Sequence, residues 1–316
     1  MFGCTTVGSD VILRYAIYMI LSEVPVSAHA RFLKQKALFT AAARANREDR
    51  FRRGALVELP ARGDLVIMGD LHGHRANLNK VYNALDLGNH PERHLVIQEL
   101  VHVLEVGVDT SYEMLEEVAA IKIRYPDQVH ILMGNHEHAE LVGEEVLKGG
   151  ICLNILFKEP IKRKYKEYYE KARAELDRFL ESLLLAVRTE NRLFLSHSSP
   201  DRHTVEHFDL DWFRNRTSDF YEDGDMVYNL LWSRDYQDEA AEEFARRMDA
   251  EVLIVGHTAC KNGFSIPSKR HLIIDSKDDR GCFLTLRLDR PYTHNEIGKT
   301  IRRIDPPRKK KTRSDS

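Results

Sequence analysis

Side chains able to do chemistry gather directly after short apolar runs in this 316-residue chain. Met68 leads into Gly69-Asp70-Leu71-His72-Gly73-His74, and Ile97 into Gln98-Glu99-Leu100-Val101-His102. Met133 is followed by Gly134-Asn135-His136-Glu137, Leu195 by Ser196-His197-Ser198, and Val255 by Gly256-His257-Thr258. Asp70, His72, Glu99, Asn135, His197 and His257 make an oxygen- and nitrogen-rich set without cysteine, which suits two divalent cations rather than a structural zinc site. A single histidine after a strand is ordinarily a hydrogen-bonded surface or core residue. Five such ends in one chain point instead to a metal centre.

The apolar runs must act as strands that carry these residues to one place. DLVIM (64–68), HLVIQEL (94–100), QVHILM (128–133), RLFLS (192–196), VLIV (252–255), HLIID (271–275) and CFLTLRL (282–288) are short and apolar. Leu78, Val81 and Leu85 fall on one helical face after the first run. Thr110-Ser111-Tyr112-Glu113 reads as a capping box opening a helix lined by Met114, Leu115, Val118 and Ile121. Strand, loop and helix in repetition argue an α/β fold. In open α/β sheets ligands lie beyond the carboxyl ends of the strands, and glycine permits tight turns there. KRKYKEYYEKARAELDRFLESLLLAV (162–187) is the clearest helix, with Tyr165, Tyr169, Ala172, Leu176, Phe179, Leu183 and Val187 at helical spacing.

Residues 1–60 read as a helical lead-in, 61–300 as the main domain and 305–316 as a disordered basic tail. A formal net charge of −2 gives no reason to expect a nucleic-acid partner. The four cysteines are isolated from one another, which fits a reducing, cytoplasmic setting. VILRYAIYMILSEVPV (11–26) is short for a membrane span and contains Arg14 and Glu23, so it reads as a helix of a soluble domain and no membrane partner is expected. No oligomeric state follows from the sequence.

GDLHGH, MGNHE, LSHSSPD, LLWSRD and IVGHTACKNG resemble the successive motifs of the calcineurin-like metallophosphoesterases. Within that superfamily they are similar to the phosphoprotein phosphatase branch, which includes bacterial Ser/Thr phosphatases and diadenosine tetraphosphate hydrolases. The resemblance covers about residues 64–288. It implies a four-layer α/β/β/α sandwich with an N-terminal helical extension, and two metal ions (Mn, Fe or Zn). Asp70 and His72 would hold the first ion, Asn135, His197 and His257 the second, and Glu99 stands where the family has its bridging Asp. His136 stands where the family has the histidine that protonates the leaving oxygen, a task suited to a group of pKa about 6.5. Paired cations about 3.5–4 Å apart would neutralise the phosphoryl oxygens and hold a hydroxide in line.

The second motif departs from the family's GDxVDRG: the segment here is Gln98-Glu99-Leu100-Val101-His102-Val103-Leu104. Glu99 is a methylene longer than Asp, and His102 replaces the Asp that orients the catalytic histidine. His102 is then expected to relay a proton or enter the metal shell. The Arg that grips phosphate is absent, and Met133 replaces a second Arg. Arg234 is the candidate in their stead, with an ion pair to Asp235 as its bland role; Arg75 is a weaker candidate, and Trp232 reads as core. Glu137 is expected either to hold the loop by local hydrogen bonds or to be solvated. The implied activity is hydrolysis of a phosphomonoester, on a phosphorylated protein or a small phosphoester. A dinucleoside polyphosphate hydrolase and a metal-binding pseudophosphatase are the alternatives.

Overall fold

The structure, a computed structural model, describes residues 27–104, 107–216 and 224–305. The apolar stretch 11–26 and the basic tail at 306–316 lie outside the described residues.

All seven apolar runs are strands; six bury both faces, whereas Cys282–Arg287 alternates buried with more exposed positions. In the strand Asp64–Asp70, Leu65 and Ile67 enter a core between two sheets, while Val66 and Met68 enter a second core beneath helices. All four are at most 1% exposed, and burying each such side chain stabilises the fold by about 1.5–3 kcal/mol. This two-sided burial is why the runs read as continuous rather than alternating.

One sheet has five strands in the order Ile301–Arg303, Cys282–Arg287, Asp64–Asp70, Arg93–Gln98 and Val129–Leu132. Its last three are parallel, with Ile67 opposite Val96 and Val96 opposite His130, so their carboxyl ends share one edge. The other sheet has seven strands, with Leu193–Ser196, Val252–Val255 and His271–Ile274 adjacent and parallel. A parallel bridge between Asp70 and Asp275 joins the sheets where the metal-type ligands emerge. Helices Arg75–Leu85 and Ser111–Arg124 follow strands of the first sheet, which gives the α/β/β/α layering. Among the described residues no helix is long and apolar enough to cross a membrane.

The N-terminal helix Ala28–Arg47 starts at Ser27, whose hydroxyl accepts from the N–H of Ala30. Phe32, Gln35, Phe39, Ala42, Ala43 and Asn46 are buried at helical spacing. The chain then adds Arg52–Arg53 and Leu56–Leu59 to the seven-stranded sheet.

Two local expectations fail. The helix read over 162–187 is three pieces: Leu153–Tyr165, a 3₁₀ turn at Lys166–Tyr168, and Tyr169–Leu180. Lys166 has φ 50°, which no right-handed helix accommodates, and Tyr165 is buried with its hydroxyl 2.7 Å from that of Tyr112. Ala186 and Val187 belong instead to a strand beside Leu56–Leu59. The capping box at Thr110 does not form, for the Thr110 side chain makes no cap bond. Glu113 is drawn to Arg75 at 2.7 Å.

Candidate active site

The strand ends turn by an unusual device. Eight described non-glycine residues have positive φ, and four are His72 (42°), Glu99 (49°), His102 (64°) and His257 (62°). Each such conformation costs about 1–3 kcal/mol and persists only where the surroundings over-determine it. Here the loops brace one another: the N–H groups of Leu71 and His72 both donate to the carbonyl of Glu99, at 2.9 and 2.8 Å, and that of Gly73 donates to Leu100.

Lone pairs converge between these loops. His197 Nδ1 lies 3.0 Å from Gln98 Oε1, so Nδ1 carries the proton and Nε2 is bare. His257 Nε2 donates to the carbonyl of Trp232 at 3.1 Å, which leaves its Nδ1 bare. The two bare nitrogens are 3.2 Å apart, and the Asn135 Oδ1 is 3.0 Å from the first and 2.8 Å from the second. Glu99 Oε2 stands 2.8 Å from His197 Nε2, yet no donor is aligned on it to make a hydrogen bond. Acceptors facing acceptors in a buried space repel, and a cation is the natural occupant. The donor set therefore fits a divalent metal.

Glu99 also faces a second group. Its Oε1 accepts from the His136 N–H at 3.2 Å and lies 3.7 Å from His136 Nδ1. His72 donates Nδ1–H to Val101 O at 3.2 Å, which frees its Nε2. His72, Glu99 and His136 offer ligand atoms within 4.8 Å of one another. Asp70 is not in that trio; its Oδ1 accepts from the backbone N–H of His257 at 3.0 Å and lies 3.9 Å from His197 Nδ1. Asp70, His72, Glu99, Asn135, His136, His197 and His257 thus share one site, with Glu99 between its two halves.

Burial pushes the Glu99 carboxyl up to about 8 and that of Asp70 up to about 7. The same burial drives His72 down to about 3 and His257 to about 2, and holds His136 well below its ordinary value, so these imidazoles favour the neutral form. A carboxyl with a raised pKa keeps its proton below that value and competes with a cation. Metal affinity will climb between about pH 6 and pH 8, with proton release on binding. Titration calorimetry in buffers of different ionisation enthalpy measures both. A flat affinity over that range contradicts the shifts.

Two residues of the opening motifs act through space. Gly134 has extended backbone (φ −93°, ψ 171°), so the expectation that it permits a turn is corrected. Its role is room: a Cβ there would stand 1.8 Å from Glu99 Oε2. Glu137 is fully buried; its Oε1 accepts from the N–H groups of Leu100 and Val101, at 2.7 and 2.9 Å, and its Oε2 from Gly134. It ties the second motif to the third, and the solvated alternative is excluded.

The cationic candidates separate. Arg75 is held by Glu113 and Glu117. Asp235 pairs with Arg202, not with Arg234. Arg234 is exposed, has no ion pair among the described residues, and lines a cavity of about 720 Å³ with Arg202, Tyr236 and Lys269. Trp232, expected in the core, is half-buried and stacked on exposed Tyr228 at 5.2 Å, and its indole N–H donates to His138 Nδ1.

Residues 64–261 match the profile of the calcineurin-like phosphoesterases, more than half of the chain. The chain belongs to that family. The chain is 21% identical over 237 residues to a serine/threonine-protein phosphatase of Caenorhabditis elegans, a match over 67% of this chain and 46% of that one. It thus spans about half the length of that curated relative. Its fold is similar to a protein serine/threonine phosphatase structure from Saccharomyces cerevisiae: TM-score 0.66, 16% identity, 93% of this chain and 94% of that one covered. It is also similar to a cold-active protein-tyrosine phosphatase of a psychrophilic Shewanella, with TM-score 0.53, 16% identity and coverage of 73% and 77%. The family is one of metal-dependent phosphoester hydrolases, and the donor set described above fits a divalent metal. Sequence reasoning missed Gln98, which orients His197, and Glu140, which contacts His102. It also missed Lys277, whose charge bears on His72 while its ammonium pairs with Asp275. Only the spacing of Glu140, one helical turn after His136, carried a signal.

Proposed function

We propose that the phosphoesterase hydrolyses phosphomonoesters at a two-metal centre and that its substrates are phosphorylated proteins or small phosphoesters. The observation that carries this reading is the convergence of Glu99 Oε2, Asn135 Oδ1, His197 Nε2 and His257 Nδ1 with no donor aligned on that carboxylate oxygen. Asp70 and His72 complete the first half of the site; Asn135, His197 and His257 form the second; Glu99 joins them. Divalent cations held there supply positive charge for the phosphoryl oxygens and acidify the attacking water.

The protein's own groups do the remainder. Glu137 fixes the loops that present Glu99 and His136. His136 stands at the rim of the cluster, with its side chain 12% accessible; a proton taken up from solvent on Nε2 passes to the departing oxygen and returns the ring to its neutral form. Arg234, without an ion pair among the described residues, holds the phosphoryl group with a charged fork. The serine/threonine phosphatase named among the curated relatives supports a phosphoprotein as substrate.

The test is turnover of p-nitrophenyl phosphate by purified protein with manganese, then a panel of phosphopeptides against dinucleoside polyphosphates. Release from phosphopeptides is expected. No turnover with manganese, iron or zinc would leave a metal-binding pseudophosphatase. Arg234→Ala will raise KM about tenfold or more and leave metal content unchanged. An unchanged KM removes Arg234 from the phosphate site.

A further inference from the structure

His102 stands where the family carries a carboxylate, yet a carboxylate lies directly behind it. His102 Nε2 is 3.0 Å from Glu140 Oε1, and both side chains are wholly buried. On its other edge, His102 Nδ1 is 3.0 Å from His136 Nδ1. The ring has no freedom to do otherwise. Its backbone N–H donates to Ser111 Oγ, and Phe157 packs edge-on at 5.5 Å. Glu140 is equally held: Asn154 Nδ2 donates to Oε1 at 2.7 Å, and Arg173 grips Oε2 and the main-chain oxygen. His136 and Glu140 share the helix Asn135–Val142 at a four-residue spacing, so they lie on one face with His102 between them.

The hydrogen-bond pattern is directional. An ionised carboxylate only accepts, so the proton of His102 belongs on Nε2 and its Nδ1 is a bare acceptor. The only proton able to occupy the 3.0 Å gap to His136 is then the one on His136 Nδ1. Burial acts to raise the Glu140 carboxyl, but the His102 hydrogen bond and the Arg173 guanidinium hold it below its ordinary value, consistent with an ionised acceptor.

We propose that Glu140 is a positioning residue which, through the imidazole of His102, supplies the orienting carboxylate missing from the second motif and holds His136 with Nδ1–H inward and Nε2 toward the leaving group. This rests on His136 as the leaving-group acid. The chain Arg173–Glu140–His102–His136 replaces a direct carboxylate–imidazole pair by one with an extra ring inserted.

Imidazole ¹⁵N NMR of the full chain, metal-free and zinc-loaded, reads the arrangement directly. The expected spectra show His102 protonated on Nε2 alone and His136 on Nδ1. His102 protonated on Nδ1 overturns the proposal, whatever the activity. Kinetics provide the second arm. Glu140→Gln keeps the side-chain shape and is expected to lower kcat about 10- to 100-fold, with KM within about twofold and metal content unchanged. In a His102→Ala background the same substitution will change kcat by less than about twofold, since the link is already cut. An equal loss in both backgrounds shows Glu140 acting only through the fold and overturns the proposal. If Glu140→Gln does not fold, the NMR of the unsubstituted chain decides. A wild-type protein inert towards every phosphoester refutes the phosphoesterase reading of the site; the tautomer of His102 still decides the relay.

Discussion

Alanine at position 134 will strip the protein of its metal. The backbone at Gly134 is extended and accepts any residue, so strain in the main chain contributes nothing. The collision is with side chains. The new methyl would sit 1.8 Å from Glu99 Oε2 and 2.7 Å from Glu137 Oε2. Both carboxylates are fully buried, and each is fixed by backbone donors on the far side. Glu99 must swing out of the space between His136 and His197, and the two halves of the site lose the residue that joins them. Overpacking of this kind destabilises by about 1–3 kcal/mol. The expected result is metal content below about a tenth of wild type after dialysis, turnover lost with it, and a melting temperature lower by several degrees. Gly88→Ala is the control, since its methyl would meet nothing closer than 3.6 Å. Full metal content in Gly134→Ala would mean that Glu99 does not hold metal from its observed position.

The second large effect is the loss of His136. Alanine there keeps the backbone N–H that donates to Glu99 Oε1, so the carboxylate stays in place. It removes the imidazole that lies between Glu99 and His102. As a general acid His136 is worth about 10²- to 10⁴-fold in kcat. The loss will be greater on a phosphoserine peptide, whose alkoxide must be protonated to leave, than on p-nitrophenyl phosphate, whose phenolate departs without help. Metal content will remain near that of wild type, whereas Asp70→Asn will lower metal and turnover together. The proximity of His136 to His72 and Glu99 offers a rival role as a ligand. Equal metal loss in the two variants would establish that role and dismiss the acid.

Much of the candidate site is legible in the sequence alone. Asp70, His72, Glu99, Asn135, His197 and His257 all follow apolar strands within two residues or so, and a parallel register carries such positions to one edge. Local sequence writes both the strand and the ligand that ends it, so spacing alone displayed them. The same locality explains the errors. Tyr165 to Val187 repeats with helical period, but Lys166 with positive φ and the pairing of Ala186 with Leu56 break it, and that partner is 130 residues away.

What tertiary structure alone decided is the choice of partner. Gly134 looked like a turn glycine and proved to be space for a carboxylate from another loop. Arg75 and Arg234 are alike in sequence; one is held by Glu113 and Glu117, the other has no ion pair among the described residues. His102 looked like a broken motif until Glu140 was found behind it. A chain's periodicity records which face of an element is buried. It does not record which distant group that face will meet, because packing, not local conformation, sets those distances.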